Sequence, residues 1–143
     1  MDLYFQRKAR KEGKATLALE EASDQGQALD SIPVEEQVTE LMELVEHPKQ
    51  QMRELDKMLK KYSLGQIDEI LDDPSLGALS EREMQTLLYD RNGKWLEELP
   101  KMLSTQSCFI AVGAGHLVGP HGLVDGLRRK GYDMKRISPY YVK

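Results

Sequence analysis

The sequence has little cysteine and no long apolar stretch, and each shortage excludes a class of protein. Cys108 is the only cysteine among 143 residues, so the chain forms no internal disulfide and no cluster of thiolate metal ligands. No apolar run approaches the roughly 20 residues that a membrane-spanning helix needs. The residues after Met1 show no signal-peptide pattern, and the content of 40% hydrophobic and 31% charged residues is typical of a soluble chain.

A strong charge of one sign is also lacking. The chain carries 20 Lys and Arg against 24 Asp and Glu, a net charge of −4. Phosphate binding needs a concentrated basic surface, so this balance excludes nucleic acid as the main partner. The basic cluster within residues 7–14 is local and is typical of the solvated face of a helix. The composition does not specify the compartment.

Three short apolar runs predict buried strands. They cover residues 15–19, 108–112 and 132–137, and the first two are too continuous for surface strands. Five residues do not exclude a helix for the first run. A helix is predicted over about 120–130, between the last two runs. Residues 108–137 therefore predict a βαβ unit with parallel strands and a right-handed crossover.

The middle of the chain, residues 21–104, has a helical pattern of apolar residues. Pro48 ends one helix at His47, and Ser80 with Glu83 forms a capping box that begins a long one. The predicted fold class is α/β: a small parallel sheet with the C-terminal βαβ unit and a large helical insertion between strands. The 143 residues form a single domain or part of a larger one.

A glycine-rich loop follows the predicted strand at 108–112. Ligands collect beyond the carboxyl ends of strands in α/β sheets. Gly113 and Gly115 allow a close approach of backbone to a ligand, and His116 places an imidazole there, which is both a common metal ligand and an acid–base group. The alternative is a structural histidine with an ordinary hydrogen bond. The glycine spacing also weakly resembles a nucleotide-phosphate loop, which leaves a nucleotide- or haem-binding domain as a further alternative.

Glu20 follows the predicted strand at 15–19 and would lie at the same sheet edge as His116. One imidazole and one carboxylate are a plausible half of a site for Mn²⁺, Co²⁺ or Zn²⁺. The alternative for Glu20 is a first-turn residue whose charge suits the dipole of the following helix.

Arg91 lies on the apolar stripe of the long predicted helix, between Leu88 and Trp95. Arginine at a core position usually holds a carboxylate, a phosphate or a substrate group. The alternative is a side chain that only passes core residues or pairs with a helix carboxylate. Asn92 points about 100° away from Arg91 by helix geometry.

Together these segments resemble the TraB/GumN family, whose animal relatives are the Tiki proteins, and specifically its C-terminal half. Residues 109–137 (FIAVGAGHLVGPHGLVDGLRRKGYDMKRI) are similar to the family's C-terminal signature, which contains a G-x-x-H motif. Arg91-Asn92 with Trp95 resembles the family's R-N-x-x-W helix, and residues 13–37 resemble the corresponding family region.

The resemblance implies a hydrolase-like α/β core with a divalent metal ion, and peptidase activity in the Tiki branch. It implies His116 as a metal ligand, Glu20 as a ligand or general base, and Arg91 as a clamp for an oxyanion or substrate. Gly113, Gly115 and Asn92 are predicted at the approach of the substrate or of the backbone. The expected function is the C-terminal portion of a metal-dependent, peptidase-like hydrolase in which metal-activated water attacks a carbonyl of a peptide or protein.

One departure from the family pattern limits this expectation. The family has a second G-x-x-H motif near its N-terminus, and this sequence contains none. The chain alone is therefore expected to be inactive, because one histidine and one carboxylate make a poor metal site. The alternative is a non-catalytic domain with a degenerate site that binds a peptide or another subunit. An isolated half also predicts exposed core surface, which two copies cover by forming a homodimer.

Overall fold

The computed structural model describes residues 2–71, 73 and 79–137, and helices account for most of them. The helices are α1 Asp2–Lys11, α2 Ala22–Asp30, α3 Val34–Glu46, α4 Pro48–Ser63, α5 Asp68–Leu71, α6 Glu81–Met84, α7 Asp90–Leu103 and α8 Leu123–Arg129. A π-helical turn, Gln85–Tyr89, joins α6 to α7, and a 3₁₀ turn covers Ala114–His116. No helix in these ranges is long and apolar enough to cross a membrane.

Several helix ends agree with the sequence signals. Gly13 follows α1 with φ +67°, a left-handed conformation that favours glycine. Helix α3 ends directly before the His47-Pro48 pair, as predicted. The predicted capping box is present at α6: the Glu83 amide donates to Ser80 Oγ at 3.2 Å, and the Ser80 amide donates to Glu83 Oε2 at 2.7 Å. The helical character of the middle of the chain is confirmed.

The predicted parallel sheet is wrong. Residues 15–19, 108–112 and 132–137 form no strand, and the described residues contain no sheet. A strand exists only where its backbone groups pair with those of a neighbour. The backbone groups of these three runs make no such ladder within the described part of the chain. The runs are apolar and as long as a strand, but they are irregular segments. The βαβ unit keeps only its helix, α8, which is shorter than predicted.

Five apolar residues of the three runs nevertheless lie against the core. Alternate residues of the second and third runs lie against the core, and their neighbours face outward. Phe109, for example, is 76% exposed between two inward-facing positions. The prediction that these runs are buried along their whole length is therefore wrong, because only alternate residues of the second and third runs reach the core. The residues that pack on the core from the three runs are Leu19, Ile110, Val112, Tyr132 and Met134.

The core itself lies between α7 and α8. Trp95 and Leu99 from α7 pack against Leu123 and Leu127 from α8, and all four are buried. The spacing of four residues within each pair places both on one face of its helix. This small cluster fixes the face of α7 that carries the candidate site.

Helices α3 and α4 follow each other directly, joined at His47, and neither contains a buried residue. Their apolar side chains are spaced at helical intervals and are 41–61% exposed; we call this set the α3–α4 apolar face. The predicted exposed apolar surface is thus present, and the association of two copies over it stays a prediction. The α3–α4 apolar face consists of Val38, Leu41, Met42, Val45, Met52, Leu55 and Leu59.

Candidate functional site

The centre of the site is an ion pair between Glu20, which precedes α2, and Arg91 on the first turn of α7. Arg91 Nη2 donates to Glu20 Oε1 at 2.6 Å, and Arg91 Nε donates to Glu20 Oε2 at 3.0 Å. The Glu20 side chain is only 12% exposed and that of Arg91 only 17% exposed. A guanidinium and a carboxylate in this two-bond geometry form a strong, directional pair. The core position of Arg91 therefore holds a carboxylate, one of the three options that its sequence position predicted.

Two further groups complete this pair, and sequence reasoning did not assign them to it. Gln25 Nε2 donates to Glu20 Oε1 at 2.7 Å, and Arg91 Nη1 donates to the Leu87 carbonyl at 2.8 Å. Burial alone raises the pKa of Glu20, but the hydrogen bonds from Arg91 and Gln25 outweigh it and hold that pKa below its ordinary value. The only sequence signal for this contact was spacing, since Gln25 lies five residues after Glu20, slightly more than one helical turn.

Leu87 belongs to the π-helical turn, which the sequence analysis did not foresee. The Asp90 amide donates to the Gln85 carbonyl, five residues back, instead of the usual four. Such an inserted residue changes the rotational phase of everything that follows. The faces of Arg91 and Asn92 are therefore set by this turn as well as by the apolar stripe.

Trp95 connects the ion pair to the histidine. The Arg91 guanidinium carbon lies 5.1 Å from the centre of the Trp95 ring, and the His116 ring centre lies 4.5 Å from it at an interplanar angle of 47°. A guanidinium over an indole face is a cation–π contact. Trp95 is 4% exposed and belongs to the α7–α8 core, so it anchors both groups.

His116 is a buried, neutral imidazole. It ends the 3₁₀ turn and is 7% exposed, and its Nδ1 lies 2.8 Å from Asn92 Oδ1. Burial and the nearby Arg91 charge lower the pKa of His116 to about 4, although the Glu20 carboxylate opposes this shift. At neutral pH the ring is uncharged, which is the form that binds metal ions.

The other predicted site residues lie around this histidine. Asn92 is 1% exposed and reaches the loop that carries His116. Gly113 has an ordinary extended backbone, and its carbonyl accepts from the His116 amide at 3.0 Å. A Cβ added to Gly115 would lie 3.6 Å from Leu88, an ordinary contact. The structure thus gathers all six predicted residues on one side of α7, in two groups that share Trp95.

We expect the His116 ring to titrate at about pH 4 in the folded chain instead of near 6.5. Because the unfolded chain takes up this proton first, the associated stability is present above pH 6.5 and is lost as the pH falls toward 4. A shift of this size corresponds to roughly 3 kcal/mol. An NMR titration of the carbon-bound ring protons measures the midpoint directly, and a midpoint near 6.5 would contradict the burial argument.

A cavity of about 400 Å³ flanks the ion pair on the side of α2. Most of its lining residues are polar or charged and include both members of the pair, and its size lies within the range of small-ligand sites. The lining residues are Leu19, Glu20, Asp24, Gln27, Ala28, Ser31, Thr86, Asp90, Arg91, Lys94 and Trp95.

These residues fit a metal ion only in part. His116 offers one neutral imidazole, but both Glu20 oxygens accept hydrogen bonds from Arg91. Across residues 2–71, 73 and 79–137, no three His, Cys, Asp or Glu side chains group in a way that could hold a metal ion. Catalytic zinc sites generally use three protein ligands.

Comparison with known proteins gives distant relatives that cover most of this chain. The chain is 24% identical to "Metalloprotease TIKI2" of Danio rerio, covering 97% of this chain and 32% of that protein. It is 24% identical to "Metalloprotease TIKI1" of Xenopus tropicalis and 22% identical to the "Metalloprotease TIKI homolog" of Nematostella vectensis, covering 94% and 97% of this chain. It spans 32–36% of the length of these relatives. No solved structure matches.

The family assignment does not depend on these distant relatives alone. The sequence matches the TraB/PrgY/gumN family over residues 1–136, which is nearly the whole chain. The match includes Glu20, the R-N-x-x-W segment and the G-x-x-H loop, the parts that the structure brings together. The resemblance seen in the sequence is therefore confirmed, and the chain belongs to the TraB/PrgY/gumN family.

Proposed function

We propose that this chain supplies one part of the active site of a metal-dependent, peptidase-like hydrolase. The observation that carries the proposal is His116, a buried neutral imidazole in the G-x-x-H loop beside a carboxylate–guanidinium pair. The names of the relatives, which describe metalloproteases, support the reaction class. The chain spans about a third of those relatives, so the activity belongs to a larger protein or assembly that completes the ligand set.

In this proposal His116 is a metal ligand for Mn²⁺, Co²⁺ or Zn²⁺. A divalent ion, when bound, supplies a Lewis acid that polarises a carbonyl and lowers the pKa of water. The chain's own contribution is an imidazole that needs no deprotonation above about pH 4. The ring is held against Trp95, which limits its rotation.

Glu20 and Arg91 have complementary roles in the proposal. The lowered pKa of Glu20 makes it a weak base, so its pairing with Arg91 favours a ligand or orienting role over proton abstraction. Glu20 Oε2 accepts one hydrogen bond, from Arg91 Nε, and keeps a lone pair for a metal ion. Arg91 carries hydrogens beyond those directed to Glu20 and Leu87, and these can donate to the oxyanion that develops on a substrate carbonyl. The cavity beside the pair has room for the groups that flank a scissile bond.

One observation favours a second candidate, a non-catalytic domain that binds a peptide or another subunit. The Glu20–Arg91 pair is already satisfied without a ligand, and the α3–α4 apolar face is exposed. An ion pair that needs no ligand is expected of a degenerate site, and an exposed apolar face is expected of a surface that binds another protein.

Metal binding to the purified chain distinguishes the two. We expect calorimetry with Mn²⁺, Co²⁺ and Zn²⁺ to show weak binding of at least one ion that His116→Ala abolishes. His47→Ala is the matched control, because the His47 side chain is 54% exposed and lies no closer than 3.9 Å to the carboxylate of Glu43, its ion-pair partner. Binding that survives in His116→Ala would refute the assignment of His116, and no binding to a folded wild-type chain would favour the second candidate.

A further inference from the structure

Asn92 makes three contacts that fix the orientation of its side-chain amide. Its Nδ2 lies 2.9 Å from the His121 carbonyl and 3.4 Å from the His116 carbonyl, and its Oδ1 lies 2.8 Å from His116 Nδ1. The reverse orientation would set Oδ1 against two carbonyl oxygens, which cannot donate. With the side chain 1% exposed, water does not replace the lost bonds. Nδ2 therefore faces the carbonyls, and Oδ1 faces the imidazole.

This orientation determines the proton on the His116 ring. Oδ1 of an amide is only an acceptor, so the 2.8 Å contact is a hydrogen bond only if Nδ1 carries the hydrogen. In the neutral ring the hydrogen on Nδ1 leaves Nε2 with its lone pair. The tautomer of a histidine is in general set by the hydrogen bond that its other nitrogen makes.

Among the described residues, the other groups near the ring make no hydrogen bond to it. Glu20 is an acceptor, but its oxygens accept hydrogen bonds from Arg91 and Gln25. Trp95 contacts the ring through its π-system at 4.5 Å between centres, and the indole nitrogen is a donor only. Arg91 likewise carries donors only, and its five hydrogens are directed partly to Glu20 and Leu87. Asn92 is thus the residue that selects between the two tautomers.

We propose that Asn92 is a positioning residue that holds His116 in the Nδ1–H tautomer and thereby makes Nε2 the metal-binding nitrogen. The assignment of Nε2 to a metal rests on the proposed function, whereas the tautomer does not. Asn92 also ties the His116 and His121 carbonyls together, so one side chain fixes both the proton and the backbone of the loop. Groups that orient a ligating histidine typically affect metal affinity about 10- to 100-fold.

The tautomer is measured on the metal-free, ¹⁵N-labelled chain at neutral pH. Long-range ¹H–¹⁵N correlations from the carbon-bound ring protons distinguish a protonated ring nitrogen from an unprotonated one. The chain contains three histidines, and the variants His47→Gln and His121→Gln assign the third signal set to His116. We expect hydrogen on Nδ1 and a bare Nε2. A wild-type ring with hydrogen on Nε2, or a mixture of both forms, would overturn the proposal without any change at Asn92.

Two variants of Asn92 separate its effect on the His116 tautomer from its effect on the loop backbone. Asn92→Asp keeps an oxygen acceptor for Nδ1–H but loses the amide donor, so we expect the tautomer to be retained. Asn92→Leu removes the acceptor, and we expect hydrogen to appear on Nε2. A folded Asn92→Leu chain that keeps the Nδ1–H form would refute the role of Asn92. Should Asn92→Leu not fold, the wild-type and Asn92→Asp spectra still decide the question.

A Co²⁺ titration keeps this proposal distinct from the proposed function. If both hold, Co²⁺ perturbs the His116 ring signals, and binding weakens about 10-fold or more in Asn92→Leu but much less in Asn92→Asp. If Co²⁺ does not bind the wild-type chain while the Nδ1–H form is observed, the tautomer stands and the metal assignment fails. If Co²⁺ binds equally to wild type and to a folded Asn92→Leu, the positioning role fails and the metal assignment stands.

Discussion

Replacing Arg91 with methionine is expected to lower the free energy of unfolding by about 3 kcal/mol, since it leaves a partly buried carboxylate without its cation. In the wild type both Glu20 oxygens accept hydrogen bonds from Arg91. In the variant Glu20 would keep only the hydrogen bond from Gln25. Methionine keeps apolar volume against Trp95, so the loss reports the charge and not a cavity. Urea unfolding followed by far-ultraviolet circular dichroism measures the change, because the described residues are mostly helical.

The matched control is Arg82→Met on α6, the helix that leads into the same helical run. Arg82 pairs with Glu36 at 3.8 Å, but the side chains are 59% and 41% exposed, so we expect a loss below about 1 kcal/mol. A double variant of Arg91→Met with Glu20→Gln should lose less than the sum of the single variants, because the two groups interact. Equal losses for Arg91→Met and Arg82→Met would show that the buried pair has no special role in stability.

The pH dependence of the Arg91→Met effect has a definite sign. The folded pKa of Glu20 is lowered, so its contribution is present above the ordinary value of 4.5 and is lost as the pH falls through the folded value. Arg91 also lowers the pKa of His116. Removing Arg91 therefore reduces the stability that the chain loses in acid through protonation of that ring. Both effects make the difference between variant and wild type largest at neutral pH and smaller in acid.

The fold was predictable where local chemistry decides it. Helix ends at Gly13, at His47-Pro48 and at the Ser80–Glu83 box follow from backbone preferences of a few residues. A sheet depends on pairing between distant segments, which a single apolar run does not encode. The runs at 108–112 and 132–137 therefore predicted strands and complete burial wrongly, and only alternate side chains of these runs lie against the core.

The site divides along the same line. The apolar stripe of the predicted helix placed Arg91 at a core position, and an arginine there requires an anionic or polar partner. Its actual partner, Glu20, is 71 residues away. The family resemblance placed both residues in one site but did not pair them. The contact of Asn92 with His116 depends on the π-helical turn and on the loop after residue 112, neither of which local periodicity describes. Residue chemistry was thus predictable, whereas pairing was not.

Replacing Leu99 with alanine is expected to have the largest effect on stability, a loss of about 3–5 kcal/mol. Leu99 is 1% exposed and packs with Trp95, Leu123 and Leu127 in the small core. So few buried residues leave little capacity to collapse into the cavity. The chain has one tryptophan, and it lies in this cluster, so its fluorescence follows the unfolding transition at the site itself.

The control for Leu99→Ala removes the same atoms from the α3–α4 apolar face. Leu41 is 60% exposed in the single chain, so Leu41→Ala should cost less than about 0.5 kcal/mol if that face is solvated. If two copies associate over it, the cost instead rises with protein concentration, because dimer stability depends on mass action. Unfolding at two concentrations a hundredfold apart therefore tests the core and the homodimer in one series. A loss below about 1 kcal/mol for Leu99→Ala would show that the α7–α8 cluster does not hold the site in place.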